Sequence, residues 1–287
     1  MSERRMTLAV PNKGRLVEPT LRLLHDAGLI FEERDRSLVS RVENVDLDIL
    51  FVRTNDVVEF VRDAVADLGI TGADLLAESE VDLPVVRPLG YGRCRLTAAV
   101  PSEAAQQRVE DLAGLRVATS HPRATRRWFG DRSIPVEVIP LSGAVEVAPR
   151  LGLAEAIVDL VSTGATLATN GLRSIGDILP SEAILVGNRV ALDARAEDVD
   201  RLDTMLGAVL EGRRRKYVMM NASVERLGEL TALLPGLESP SVIPLAHAGM
   251  IAIHAVVGAD DVWALLPRLK NAGASGILVL PIEKLIA

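Results

Sequence analysis

A single cysteine, Cys94, is all the chain contains, so no disulfide can form within it and no multi-cysteine zinc site can be built from it. Aromatic residues make up only 3%, too few for the stacking platforms on which single-stranded nucleic acids lie. The net charge of −7 lacks the basic excess of a general nucleic-acid binder. No apolar run approaches the ~20 residues of a membrane span, and Met1 to Leu16 hold no signal-peptide core. These absences point to a cytoplasmic protein without nucleic-acid or membrane partners. The histidines His25, His121, His247 and His254 show no metal-ligand spacing, and there is no G-x-x-x-x-G-K-[ST] loop, H-E-x-x-H helix or G-x-S-x-G elbow. Lysine is confined to Lys13, Lys216, Lys270 and Lys284, an arginine bias that reads as composition rather than chemistry.

What is present is apolar residue in quantity. With 287 residues, 48% of them hydrophobic and 25% charged, the chain has material for two or three domains and a large core. Its first ninety or so positions alternate: strand at Thr7 to Val10, helix at Glu18 to Ala27, strand at Val45 to Val52, helix at Asp56 to Ala66, strand at Leu68 to Thr71, helix at Ala73 to Glu78. After Pro101 strands recur at Leu115 to Thr119, Val136 to Ile139 and Ala156 to Val161. Such alternation predicts α/β sheets, here in two lobes with a cleft between them. The glycines of Gly90-Tyr91-Gly92 lack the third member of a dinucleotide fingerprint and read as a hinge between the lobes.

The tail follows another order. Strand Lys216 to Ala222, helix Val224 to Leu234, strands Val242 to Leu245 and Ile251 to Val257, helix Asp260 to Ala272 and strand Gly276 to Leu280 make a βαββαβ, ferredoxin-like unit. The charged segment Glu211 to Arg215 reads as the solvated linker that joins it.

Three turns carry chemistry. In IVDLVSTGATLATNGL the buried strand Ala156 to Val161 bears one carboxylate, Asp159, and then gives way to Ser162, Thr163, Gly164, Ala165 and Thr166. Hydroxyls, a glycine and unpaired N–H groups at the start of a helix can hold an anion; the alternative is an ordinary capped βα turn. The second turn, PNKGR, puts Lys13 and Arg15 after the first strand, suited to a phosphate or pyrophosphate or simply to solvent. In the third, GITGADL, Asp74 either lines a site or caps its own helix. Loops after parallel strands can converge on one crevice at the strands' carboxyl ends.

Taken in order, LAVPNKGRL, GITGADL, LGYGRCRL, GAVEVAPRLGLAEAIVDLVSTGATLATNGL and GLESPSVIPL resemble the ATP phosphoribosyltransferase family in its long form. The resemblance spans nearly the whole chain. It implies two periplasmic-binding-protein-like lobes, with 1–95 and 182–212 forming the first and 96–181 the second, and a ferredoxin-like regulatory domain over 213–287. It further implies the first step of histidine biosynthesis, in which ATP and 5-phosphoribosyl 1-pyrophosphate give phosphoribosyl-ATP and pyrophosphate. Ser162, Thr163, Gly164, Ala165 and Thr166 would then hold the 5-phosphate and Asp159 the ribose hydroxyls. Lys13 and Arg15 would sit near the phosphate chains, in the catalytic role of assisting Mg²⁺ on the leaving pyrophosphate; Asp74 and Glu146 would line the nucleotide part of the cleft, and Arg53 would contact phosphate. No general base is evident, and alignment of the two substrates would supply much of the rate. The family also implies feedback by L-histidine near Leu237 to Leu245, with Ser239, Ser241 and Asn221 as contacts, and a homo-oligomer, dimer and hexamer. In TSHPRATRRWF, His121 stands where the family usually has tyrosine, and no chemistry is assigned to it. A phosphoribosyltransferase for another base and a non-catalytic nucleotide or amino-acid sensor are the rival readings.

Overall fold

The computed structural model describes residues 4–32, 38–234 and 239–286. It divides into two compact units, one formed by residues up to Arg22 with Leu29–Val199, the other by Leu23–Gly28 with residues from Asp200 on.

The first unit holds two sheets. Strands β1 (Met6–Pro11), β2 (Val39–Arg41), β3 (Leu47–Val52), β4 (Leu68–Gly72) and β5 (Val85–Pro88) make the first, together with the later β11 (Ala183–Gly187), in the order β2-β3-β1-β4-β11-β5. Strands β6 (Cys94–Pro101), β7 (Arg116–Thr119), β8 (Glu137–Pro140), β9 (Ala156–Val161) and β10 (Leu172–Ser181) make the second, in the order β10-β6-β9-β7-β8. Each contains a parallel trio, β3-β1-β4 and β9-β7-β8, and the largely buried apolar runs of β1, β4 and β9 are what a strand covered on both faces requires. The chain passes between the sheets twice, at Leu89–Arg93 and between Ser181 and Ala183, and there the passes bond to each other: Leu89 N–H to Ala183 O at 2.8 Å and Ala183 N–H to Tyr91 O at 2.9 Å.

Helices α1 (Val17–Asp26), α2 (Val57–Arg62), α3 (Ala73–Ser79), α4 (Pro122–Asp131), α5 (Ala165–Thr169) and α6 (Arg189–Ala194) fill the connections. On the first sheet Val57, Val58 and Val61 of α2 pack with Ala9, Val52, Ile184 and Val186. On the second, Phe129 of α4 packs with Leu96, Val117 and Val158 on one face, and Val145 and Leu167 with Ala118 and Ile157 on the other. Each such buried valine, leucine, isoleucine or phenylalanine contributes roughly 1.5–3 kcal/mol through removal from water.

Two expectations are corrected. The helix read over Asp56 to Ala66 stops at Arg62, because Asp63 takes the C-cap position and Ala64 turns left-handed at φ 57°. The segment Glu211 to Arg215 is no linker: α7 (Ala196–Arg214) runs through it and strand β12 begins at Arg215. Its charges are paired, Arg213 with Asp26 at 2.8 Å and Arg215 with Glu211 at 2.9 Å.

The remainder is the βαββαβ unit: β12 (Arg215–Ser223), α8 (Leu227–Leu233), β13 (Ser241–Pro244), β14 (Met250–Gly258), α9 (Val262–Asn271) and β15 (Ser275–Pro281). The antiparallel sheet has the order β13-β14-β12-β15, the ferredoxin-like arrangement. Alternation decides its faces: Val218, Met220, Ile251 and Ile253 pack under Leu230, Leu265 and Leu269 of the two helices. The architecture expected from the sequence, α/β with two lobes and a ferredoxin-like third sheet, is the one observed.

Candidate active site

Apart from Asp159, which lies within β9, every expected substrate contact of the first unit lies beyond the carboxyl end of a strand in one of the two parallel trios. Lys13 and Arg15 follow β1, Arg53 follows β3 and Asp74 follows β4; His121 follows β7, Glu146 lies in the segment after β8, and the Ser162 to Thr166 loop follows β9. The two edges meet at Asp74 and His121. These side chains, only 3% and 4% exposed as residues, are joined by Asp74 Oδ2 and His121 Nε2 at 3.2 Å.

Asp74 is held by three hydrogen bonds, one with His121 and two with Ser181. Ser181 Oγ, on the second pass between the sheets, donates to Asp74 Oδ1 at 2.5 Å and accepts from the Asp74 backbone N–H at 3.0 Å. Burial pushes the Asp74 carboxyl up, but the bonds from His121 and Ser181 outweigh it and leave the group below its ordinary value. The reading of Asp74 as a cap is excluded: Gly72 occupies the N-cap position of α3, and no side-chain cap is made there. The absence of a Cβ at Gly72 makes room for this carboxylate, since a Cβ would lie 2.3 Å from Asp74 Oδ1.

Asp159 is moved the other way. Half-buried on β9, its carboxyl is raised by burial, against the bond it accepts from Leu160 N–H at 2.8 Å; the charge of Glu146 raises it further, and His121 opposes. Asp159, Glu146, His121 and Asp74 are thus linked electrically across the two edges. Among the described residues no group of three or more His, Cys, Asp or Glu could hold a metal by itself.

After Asp159 the chain opens out. Ser162, Thr163, Ala165 and Thr166 are exposed, and Gly164 adopts φ +83°, a left-handed conformation open to glycine at little cost. Gly164, rather than Ser162 or Thr163, is the N-cap of α5; Thr163 Oγ1 accepts from Ala165 N–H at 3.5 Å. Since α5 has only five residues, its dipole is small, and the capacity to hold an anion rests on the turn's own N–H and hydroxyl groups.

On the other edge Lys13 and Arg15 are exposed around Gly14, with Arg15 Nη2 2.8 Å from Cys94 Sγ. Arg53, exposed and distant from them in sequence, follows β3, the strand paired with β1. The loop after β1 is tied down by Asn12 N–H to Val52 O at 2.8 Å and Thr54 Oγ1 to Lys13 O at 3.2 Å. Sequence reasoning gave no functional role to Glu78, Ser181, Arg127 or His121. The one readable signal was His-Pro after a strand, a helix start with proline at its first position and no serviceable capping side chain.

The family model described as ATP phosphoribosyltransferase (HisG) matches residues 53–208, and that of the HisG C-terminal domain matches 212–284. The chain belongs to the ATP phosphoribosyltransferase family. Relatives of that name include one from Gemmatimonas aurantiaca, 43% identical over 98% of this chain and 99% of its own length, and one from Methanopyrus kandleri, 44% identical over 98% and 99%. The chain is also similar to a solved ATP phosphoribosyl transferase (HisG:HisZ) complex chain from Thermotoga maritima, with a TM-score of 0.61 and 33% identity over 70% of this chain and 95% of that one. Membership of the ATP phosphoribosyltransferase family makes the chain a transferase.

Proposed function

We propose that the chain condenses ATP with 5-phosphoribosyl 1-pyrophosphate to phosphoribosyl-ATP and pyrophosphate, the first step of L-histidine biosynthesis, with its reacting groups drawn from the two facing edges. The observation that carries this reading is the Asp159 to Thr166 segment: a carboxylate whose charged form is penalised by burial, followed at once by an open turn built on a left-handed glycine. The turn's donors suit the 5-phosphate and Asp159 suits the ribose diol, which offers hydroxyl hydrogens where a phosphate offers only oxygens.

Lys13 and Arg15 take the pyrophosphate, Arg53 a further phosphate, and Asp74 and Glu146 line the nucleotide half. An adenine ring nitrogen attacks the anomeric carbon as the bond to pyrophosphate breaks. The nitrogen brings its own lone pair, so alignment supplies much of the acceleration and no base is required. The leaving group takes the electron pair, and cations at Lys13 and Arg15 stabilise that charge. Mg²⁺ borne by the pyrophosphate would add to this neutralisation, and Asp159 and Glu146, which repel one another, suit a neighbouring cation.

In the third sheet Ser241 and Asn221 lie on the same face, the one away from the helices, since Ser241 pairs with His254 and Asn221 with Ala252. Both are exposed, and with Ser239 they form the proposed contacts for feedback by L-histidine. Leu237 lies outside the described residues. The same face exposes Ile243, Leu278 and Leu280, which supports a homo-oligomer, dimer or hexamer. No helix among the described residues is long and apolar enough to cross a membrane, in keeping with a proposed cytoplasmic setting.

Absorbance of the phosphoribosylated adenine, followed with both substrates, Mg²⁺ and pyrophosphatase, tests the reaction. Replacing Thr163, Gly164 and Thr166 together should raise the KM for 5-phosphoribosyl 1-pyrophosphate by at least about tenfold, the loss of one or two good anion contacts. An unchanged KM would refute the loop assignment, and binding without product would favour the sensor.

A further inference from the structure

Helix α4 begins badly by its own resources. His121, at its N-cap position, makes no side-chain cap; Pro122 has no N–H to offer, and the amides of Arg123 and Ala124 are left without partners from their own segment. The neighbouring hydroxyls are already used, Ser120 Oγ at His121 Nδ1 (3.0 Å) and Thr119 Oγ1 by the His121 N–H (2.9 Å). The missing cap comes from the other lobe. Glu78 on α3 accepts from Arg123 N–H at 3.0 and 3.1 Å and from Ala124 N–H at 2.9 Å. The exchange is reciprocal, because Arg127 of α4 donates to Ala77 O, near the end of α3, at 2.6 Å. Asp74 stands one helical turn before Glu78, so its bond to His121 lies on the same face of α3.

We propose that Glu78 is a positioning residue for the transfer: by capping α4 from α3 it fixes the angle at which the edge bearing Asp159 and its loop meets the edge bearing Lys13 and Arg15. The two passes of chain between the sheets, at Leu89–Arg93 and Ser181 to Ala183, act as pivots, and two pivots alone allow rotation. The contacts of Glu78, Arg127 and Asp74 with the opposite helix or its start remove that freedom. A charge-assisted cap supplied across lobes is also directional, since the carboxylate must stay within hydrogen-bond reach of two particular amides. In the reading above each substrate spans both edges, 5-phosphoribosyl 1-pyrophosphate from the Ser162 to Thr166 loop to Lys13 and Arg15 and the nucleotide between Asp74 and Glu146, so loss of the clasp keeps every contact group in place and spoils the alignment of the reacting atoms. The proposal rests on the two-substrate reading above.

The test uses the full chain with Glu78→Ala and Glu78→Gln. For Glu78→Ala, kcat should fall by about tenfold or more, the scale of effect expected from misalignment of reacting groups. The Kd of each substrate alone, by titration calorimetry, should rise by clearly less than kcat falls, because the groups that hold it remain and only the angle between the edges is freed. Amide hydrogen exchange at Arg123 and Ala124 should accelerate. Glu78→Gln keeps one acceptor oxygen and should recover much of kcat. If Glu78→Ala does not fold, Arg127→Met removes the reciprocal bond without leaving a buried charge, and should lower kcat in the same way. A wild-type kcat in Glu78→Ala, with only its melting temperature reduced, would overturn the proposal and leave Glu78 merely structural. A wild-type chain that forms no product would instead refute the functional reading and this proposal with it.

Discussion

Asp74 and Asp159 carry the same side chain, and their surroundings move it in opposite directions. Asp74 titrates below its ordinary value, so it contributes stability that is present above the ordinary carboxylate range and lost as pH falls through its lowered value. Asp159 titrates above its ordinary value, so its ionised form costs stability, and the cost disappears as pH falls through the raised value. Asp159→Asn should therefore melt at a higher temperature than the parent at neutral pH and match it more closely in acid. The same change should lower kcat/KM by roughly 10- to 100-fold, since a charged acceptor for two hydroxyls becomes neutral. Calorimetric melts across pH, paired with kinetics, separate the two effects. Asp159 and the loop after it were legible in sequence because a lone carboxylate in an apolar strand, followed by Ser-Thr-Gly, is a local pattern. His121 was not, since its meaning depends on Asp74, which is distant along the chain.

At the scale of elements, sequence reading succeeded where periodicity is strong and local. The parallel strands β1, β4, β7 and β9 and the βαββαβ order of the tail were all readable from apolar runs and their spacing. Other strands escaped. β2 has only three residues, and β10 has Gly176, Asp177 and Pro180 within it, with its register against β6 broken at two points. The charged stretch at the end of α7 read as a linker because the partner of Arg213, Asp26, is distant along the chain and cannot be assigned from composition. The turn from β4 into α3 gives a sharp test of element-level packing. Gly72→Ala would place a methyl group 2.3 Å from Asp74 Oδ1 and drive the carboxylate off Ser181 and His121. We expect a loss of ~1–3 kcal/mol by urea denaturation, as for an overpacked site. The same change in an Asp74→Ala background should cost clearly less, because the clash is gone.

For the whole molecule, the proposed division of labour gives catalysis to the first unit and sensing to the third sheet. Replacing Ser241 and Asn221 by alanine should raise the L-histidine concentration needed for half-inhibition by about tenfold or more, if each supplies a hydrogen bond of ordinary strength. An unchanged inhibition curve would move the histidine site elsewhere. The pairing of Gly72 with Ala183 has a further consequence, one of timing during synthesis. Strand β11 reaches β4 only after the chain has laid down every strand of the second sheet. A chain emerging from the ribosome can therefore complete its second lobe while one side of β4 still lacks its neighbour. The first lobe is begun first and finished last, and its unfinished edge is the part of the nascent chain most in need of protection.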